Sequence, residues 1–60
     1  MKTKYCIADI HYAHKSIMFD LGYSLAPGLF KNAKGDRWIV PCNDIETLKE
    51  LVTVYNVENN

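Results

Sequence analysis

The sequence lacks any apolar run approaching the ~18 residues of a helical membrane span. Its opening residues carry Lys2 and Lys4 but no sustained apolar stretch of the kind that makes an export signal. From these two absences the expected location is cytoplasmic, with no membrane partner. Histidine is scarce: His11 and His14 are the only two. Cysteine is equally scarce, and without an export signal Cys6 and Cys42 read as free, mostly buried thiols rather than a disulfide. No internal repeat and no low-complexity tract stands out. Net charge is zero, so bulk charge names no partner.

What is present is enough for one domain, residues 1–60, ordered over about 3–56 with a polar tail that frays. A chain this short buries only ~60% of its unfolded surface and is marginal alone. There is little room for a solvent-excluding catalytic cleft, so the expectation is no enzyme and no cofactor. The charges are unevenly placed. Residues 1–38 carry six basic and three acidic side chains, whereas residues 39–60 carry one basic and four acidic. A basic front of this kind is the electrostatic signature of phosphate binding.

Along the chain, residues 3–11 fit a first helix with Thr3 as its cap and Ile7 and Ile10 on one face. Tyr5, Cys6, Ile7 and Tyr12 also suit a strand, and helix is favoured. Residues 14–22 fit a second helix carrying Ile17, Met18 and Leu21 inward and stopped by Gly22. The rival pattern is equally good. Ile17, Phe19, Leu21, Tyr23 and Leu25 alternate as in a half-buried strand, so residues 16–25 stay open between helix and strand. Pro27 and Gly28 mark a turn. Residues 29–32 and 37–40 read as two short strands joined by Ala33-Lys34-Gly35-Asp36, and Pro41 ends the second. Asn43 and Glu46 form a capping box for a last helix near residues 43–55, whose stripe is Ile45, Leu48, Leu51, Val52 and Tyr55. Trp38 is expected to pack against that stripe.

The segments Pro27-Gly28-Leu29-Phe30-Lys31-Asn32-Ala33 and Gly35-Asp36-Arg37-Trp38-Ile39-Val40-Pro41, followed by Asn43-Asp44-Ile45-Glu46, resemble the excisionase and MerR-type small winged helix-turn-helix DNA-binding domains. The resemblance implies an α+β, mainly α fold of three helices with a two-stranded β-hairpin wing. It also implies that His14, Lys15 and Ser16 open a recognition helix and read the major groove. Lys31, Asn32, Lys34 and Arg37 would sit on the wing and hold phosphates. The function so implied is binding of double-stranded DNA, as an excisionase-like architectural factor or a phage-type transcriptional regulator, with a recombinase or other protein as possible partner.

Two other constellations were weighed. Asp9-Ile10-His11 with His14 resembles the first metal motif of calcineurin-like metallophosphoesterases, but the later histidine ligands are missing. Cys6, His11, His14 and Cys42 supply zinc-type donors at a spacing that matches no common finger. No metal is therefore assigned. The alternative function is a small protein-binding inhibitor or adaptor of the phage host-takeover type, without nucleic-acid binding. There Phe19, Tyr23 and Leu25 form the contact surface of an α+β module. The two readings part at residues 2–22: helix-turn-helix favours DNA, strand structure favours the adaptor.

Overall fold

A computed structural model describes residues 2–26 and 34–59. Strand β1 (Tyr5–His11) leads through a 3-10 turn (Tyr12–His14) into helix α1 (Lys15–Asp20), then to a short strand β2 (Ser24–Leu25). Strand β3 (Gly35–Pro41) leads through a second 3-10 turn (Cys42–Asp44) into helix α2 (Ile45–Leu51) and strand β4 (Val54–Asn59). The four strands form one sheet in the order β2-β3-β1-β4, and every neighbouring pair is antiparallel. Two β-α-β units are thus interleaved, each with a strand of the other inserted between its own two. This is the split βαβ, ferredoxin-like arrangement.

The pattern of side chains explains the layering. Successive residues of a strand point to opposite faces. Cys6, Ala8 and Ile10 of β1, with Trp38 and Val40 of β3, are buried on one face, against Met18 of α1 and Ile45 and Leu48 of α2; Val52 completes the cluster. Burial of each large member contributes roughly 1.5–3 kcal/mol. Among the described residues, no helix covers the opposite face. There Ile7, Asp9, His11, Arg37 and Ile39 are only half-buried.

The two halves repeat. Counterpart elements begin 30 residues apart: β1 and β3 at 5 and 35, the turns at 12 and 42, the helices at 15 and 45, and β2 and β4 at 24 and 54. The β1–β3 register, running from Tyr5 opposite Pro41 to His11 opposite Gly35, is centred on Ala8 and Trp38. The Tyr12 amide donates to the Lys34 carbonyl at 3.1 Å, and the Cys42 amide donates to the Lys4 carbonyl at 2.9 Å, again 30 residues on. An internal pseudo-two-fold therefore relates the halves, although their side chains hardly match.

This fold overturns the three-helix winged helix-turn-helix, which is mainly α. Among the described residues there are two short helices and a four-stranded sheet. The expected first helix is β1. Ile7 and Ile10 fit one helical face, but strand pairing on both sides gives all seven residues backbone partners and buries Cys6, Ala8 and Ile10 together. Residues 16–25 contain both rival patterns in sequence: helix to Asp20, then a turn at Gly22, whose φ of +89° suits glycine, then β2. The last helix ends at Leu51, and Tyr55 belongs to β4 rather than to its stripe. The capping box is not formed: Asp44 occupies the N-cap of α2 and makes no side-chain capping bond. The strand expected over 37–40 is longer, and its neighbours are β1 and β2. The partner strand expected at 29–32 lies outside the described residues. Of the tail expected to fray, residues 57–59 form the second half of β4. Trp38 does lie in the core with Ile45 and Leu48.

Candidate functional surface

Cys6 and Cys42 are joined in a disulfide, with Cα atoms 5.2 Å apart. That corrects the reading of two free thiols. Core-facing Cys6, near the start of β1, meets Cys42 just beyond the end of β3, and antiparallel pairing brings those two ends together. The bridge also removes both sulfurs from any four-ligand zinc set, since His11 and His14 lie at the opposite end of β1.

Among the described residues expected to touch DNA, Arg37 stands apart from the others. His14 ends the first 3-10 turn, and Lys15 and Ser16 open α1, exposed. Lys34 precedes β3, and its carbonyl accepts from Tyr12, so its backbone runs beside that turn. Lys31 and Asn32 lie outside the described residues. Arg37 points the other way, onto the face of the sheet that carries no helix. Its guanidinium bonds the Glu58 carboxylate at 2.5 Å, and its Nε lies 3.6 Å from Asp9. Nε itself is buried without a hydrogen-bond partner. Glu58 comes from the acidic end of the sequence, so interleaving the strands mixes the two charge blocks instead of separating a basic front from an acidic back.

Two groupings stand out, and the sequence had put Phe19 and Leu25 of the second together. The first surrounds His11. Its ring stacks on Tyr12 with centroids 4.5 Å apart, and lies 5.9 Å from Tyr55 and 6.1 Å from His14. Its Nδ1 accepts from the Ala13 amide at 3.0 Å. The second grouping lies on α1 and β2. Phe19 places its ring edge-on to Trp38, with centroids 4.9 Å apart, yet remains 51% exposed. Leu25 is the register partner of Trp38 on the edge strand and is 41% exposed. Two half-exposed apolar side chains thus flank one buried indole. Ile17 and Leu21, one helical turn apart, add further exposed apolar surface to α1.

Tyr23 is not part of that surface. It packs against the core, and its hydroxyl donates to Asp44 Oδ2 at 2.9 Å, fastening the α1–β2 connection to the turn before α2. Burial, then the bond to Asp44 and that carboxylate's charge, raise the phenol's pKa above its ordinary value.

No helix among the described residues is long and apolar enough to cross a membrane. No family model, curated protein or solved structure matches the chain. Functional argument therefore rests on the surface chemistry alone.

Proposed function

We propose that the chain is a small protein-docking module of the inhibitor or adaptor type, with its contact surface on α1 and β2. The observation that carries this reading is a comparison within the molecule. The pseudo-two-fold makes α1 and α2 equivalent, so each serves as a control for the other. At the positions of Ile17 and Phe19 in α1, α2 has Thr47 and Lys49. At these two positions α2 is dressed for solvent and α1 is left apolar, while the exposed Leu51 of α2 matches Leu21. Contiguous exposed apolar surface of this sort marks protein contact sites. Tyr23, grouped with Phe19 and Leu25 on sequence grounds, serves instead as an internal fastener.

The double-stranded-DNA reading drew on a helix-turn-helix before residue 22, where β1 stands instead, and on Arg37, which two carboxylates engage. The test grafts the polar residues of α2 onto α1, as Ile17→Thr/Phe19→Lys. Immobilised wild-type chain should retain a specific protein from host extract, identified by mass spectrometry, and the graft should lose it while keeping the wild-type circular dichroism spectrum. In parallel, fluorescence anisotropy with mixed-sequence duplexes should show no binding at about tens of micromolar, the range of non-specific DNA affinity. Salt-sensitive duplex binding weakened by Lys15→Ala, together with capture that the graft leaves intact, would restore the DNA reading and sink this one.

A further inference from the structure

We propose that the Cys6–Cys42 bridge is a redox gate on the β2 edge; this rests on the docking surface proposed above and names its regulation. The pseudo-two-fold again supplies the control. The positions equivalent to Cys6 and Cys42 are Asp36 and Tyr12, where no covalent link exists, yet the backbone there closes with the same hydrogen bond. The topology therefore does not need the bond. At the Cys42 end the bond is an added constraint that can be present or absent.

Its position gives it a route to the surface. Cys42 opens the 3-10 turn that ends at Asp44, and Asp44 holds the Tyr23 hydroxyl. Tyr23 is followed directly by Ser24 and Leu25, the whole of β2. That strand is too short to hold itself on the sheet. It is supported by the Ala26 amide on the Arg37 carbonyl at 2.8 Å and by the Tyr23 amide on the Met18 carbonyl at 3.1 Å. With the turn released, the Asp44–Tyr23 bond loses its fixed end, and β2 loses the fastener that places Leu25 beside Trp38.

The chemistry is a dithiol–disulfide exchange. Cys6 is 1% exposed and Cys42 is only partly buried, so a reductant thiolate reaches the Cys42 sulfur. The S–S bond breaks, Cys6 leaves as thiolate and takes up a proton, and a mixed disulfide forms on Cys42. The second thiol of the reductant displaces Cys42, which is protonated in turn, and the reductant leaves as its own disulfide. Two electrons and two protons have entered the protein.

Amide hydrogen exchange on the full chain, oxidised and in excess dithiothreitol, tests the gate. Exchange at Tyr23 and Ala26 should accelerate at least about tenfold more on reduction than exchange at His11 and Tyr12, the end without a staple; tenfold corresponds to a small local opening. Tyr23→Phe in the oxidised chain should give the same fast exchange at Ala26 with the bridge intact, which ties the opening to the lost Tyr23–Asp44 bond. Uniform acceleration, wholesale unfolding on reduction, or an Ala26 amide indifferent to both changes would each overturn the proposal. The docking reading is judged separately, by the Ile17→Thr/Phe19→Lys graft on oxidised protein.

Discussion

A β-carbon added to Gly35 would run into the Ile10 carbonyl oxygen and lie 2.7 Å from its carbon and 3.1 Å from the Cα of His11. All three are backbone atoms of the central strand, so the neighbour cannot swing aside as a flexible side chain would. Gly22 presents the opposite case: open space within 4 Å but a φ of +89°. Gly35→Ala should therefore cost about 3 kcal/mol, the upper end for overpacking. Gly22→Ala should cost about 1–2 kcal/mol, the left-handed backbone penalty alone. Denaturant midpoints compared at constant slope would check the order; a Gly22 variant weaker than the Gly35 variant would contradict it. Tyr23 gives a pH counterpart. Its raised pKa means that the folded state holds the phenol proton more tightly than the unfolded chain. Its contribution is fully present below the ordinary phenol value of about 10 and is lost as pH rises from there through the folded pKa. Tyr23→Phe should flatten the fall in stability above that pH, measured by melts at stepped alkaline pH; an unchanged slope would remove Tyr23 as its source.

Among the elements, α2 carries the clearest energetic prediction. Leu48 is fully buried beneath it, in one cluster with Trp38 and Ile45. Leu48→Ala should cost about 2–5 kcal/mol, read as a lowered melting temperature. Leu51→Ala, on the exposed side of the same helix, should stay within roughly 0.5 kcal/mol. This helix was legible in the sequence because Ile45, Leu48 and Val52 keep a helical stripe that no strand pattern rivals. β1 was not, because Ile7 and Ile10 satisfy a helix while Cys6, Ala8 and Ile10 satisfy a strand; only pairing with β3 and β4 decides between them. β2 was hidden for a different reason: its two residues are too few to show any period, and the alternation from Ile17 to Leu25 ran through a helix on the way. Of the stripe expected to face inward on α1, only Met18 is buried; Ile17 and Leu21 are exposed along with Phe19. The seat of Phe19 on Trp38 could not be foreseen, because it depends on which strand lies beneath α1.

At the scale of the whole molecule, the pseudo-two-fold left almost no trace in the sequence. The fold repeats backbone geometry, while each half fills the core differently: Ala8 answers Trp38, and Gly22 answers Val52. The disulfide was set aside for want of an export signal, and with its partners 36 residues apart nothing local showed that the β1–β3 register brings them together. Its energetic weight follows from that separation. Chain-entropy reasoning gives about 4 kcal/mol for closing a loop of this length. A 60-residue domain has a total stability of roughly 3–9 kcal/mol at ~0.05–0.15 kcal/mol per residue. One covalent bond thus supplies a large share of the margin, and towards the upper end of that range the reduced chain stays folded, as the gate requires. Cys6→Ala/Cys42→Ala should then shift the urea midpoint down by about 4 kcal/mol divided by the m-value, with the m-value itself raised because the unbridged chain unfolds to a more open state. Equilibrium urea titrations of the double variant and of the oxidised parent measure both quantities. A loss below about 1 kcal/mol would mean that the β1–β3 ladder alone holds Cys42 in place, and the gate proposed for β2 would lose its driving force.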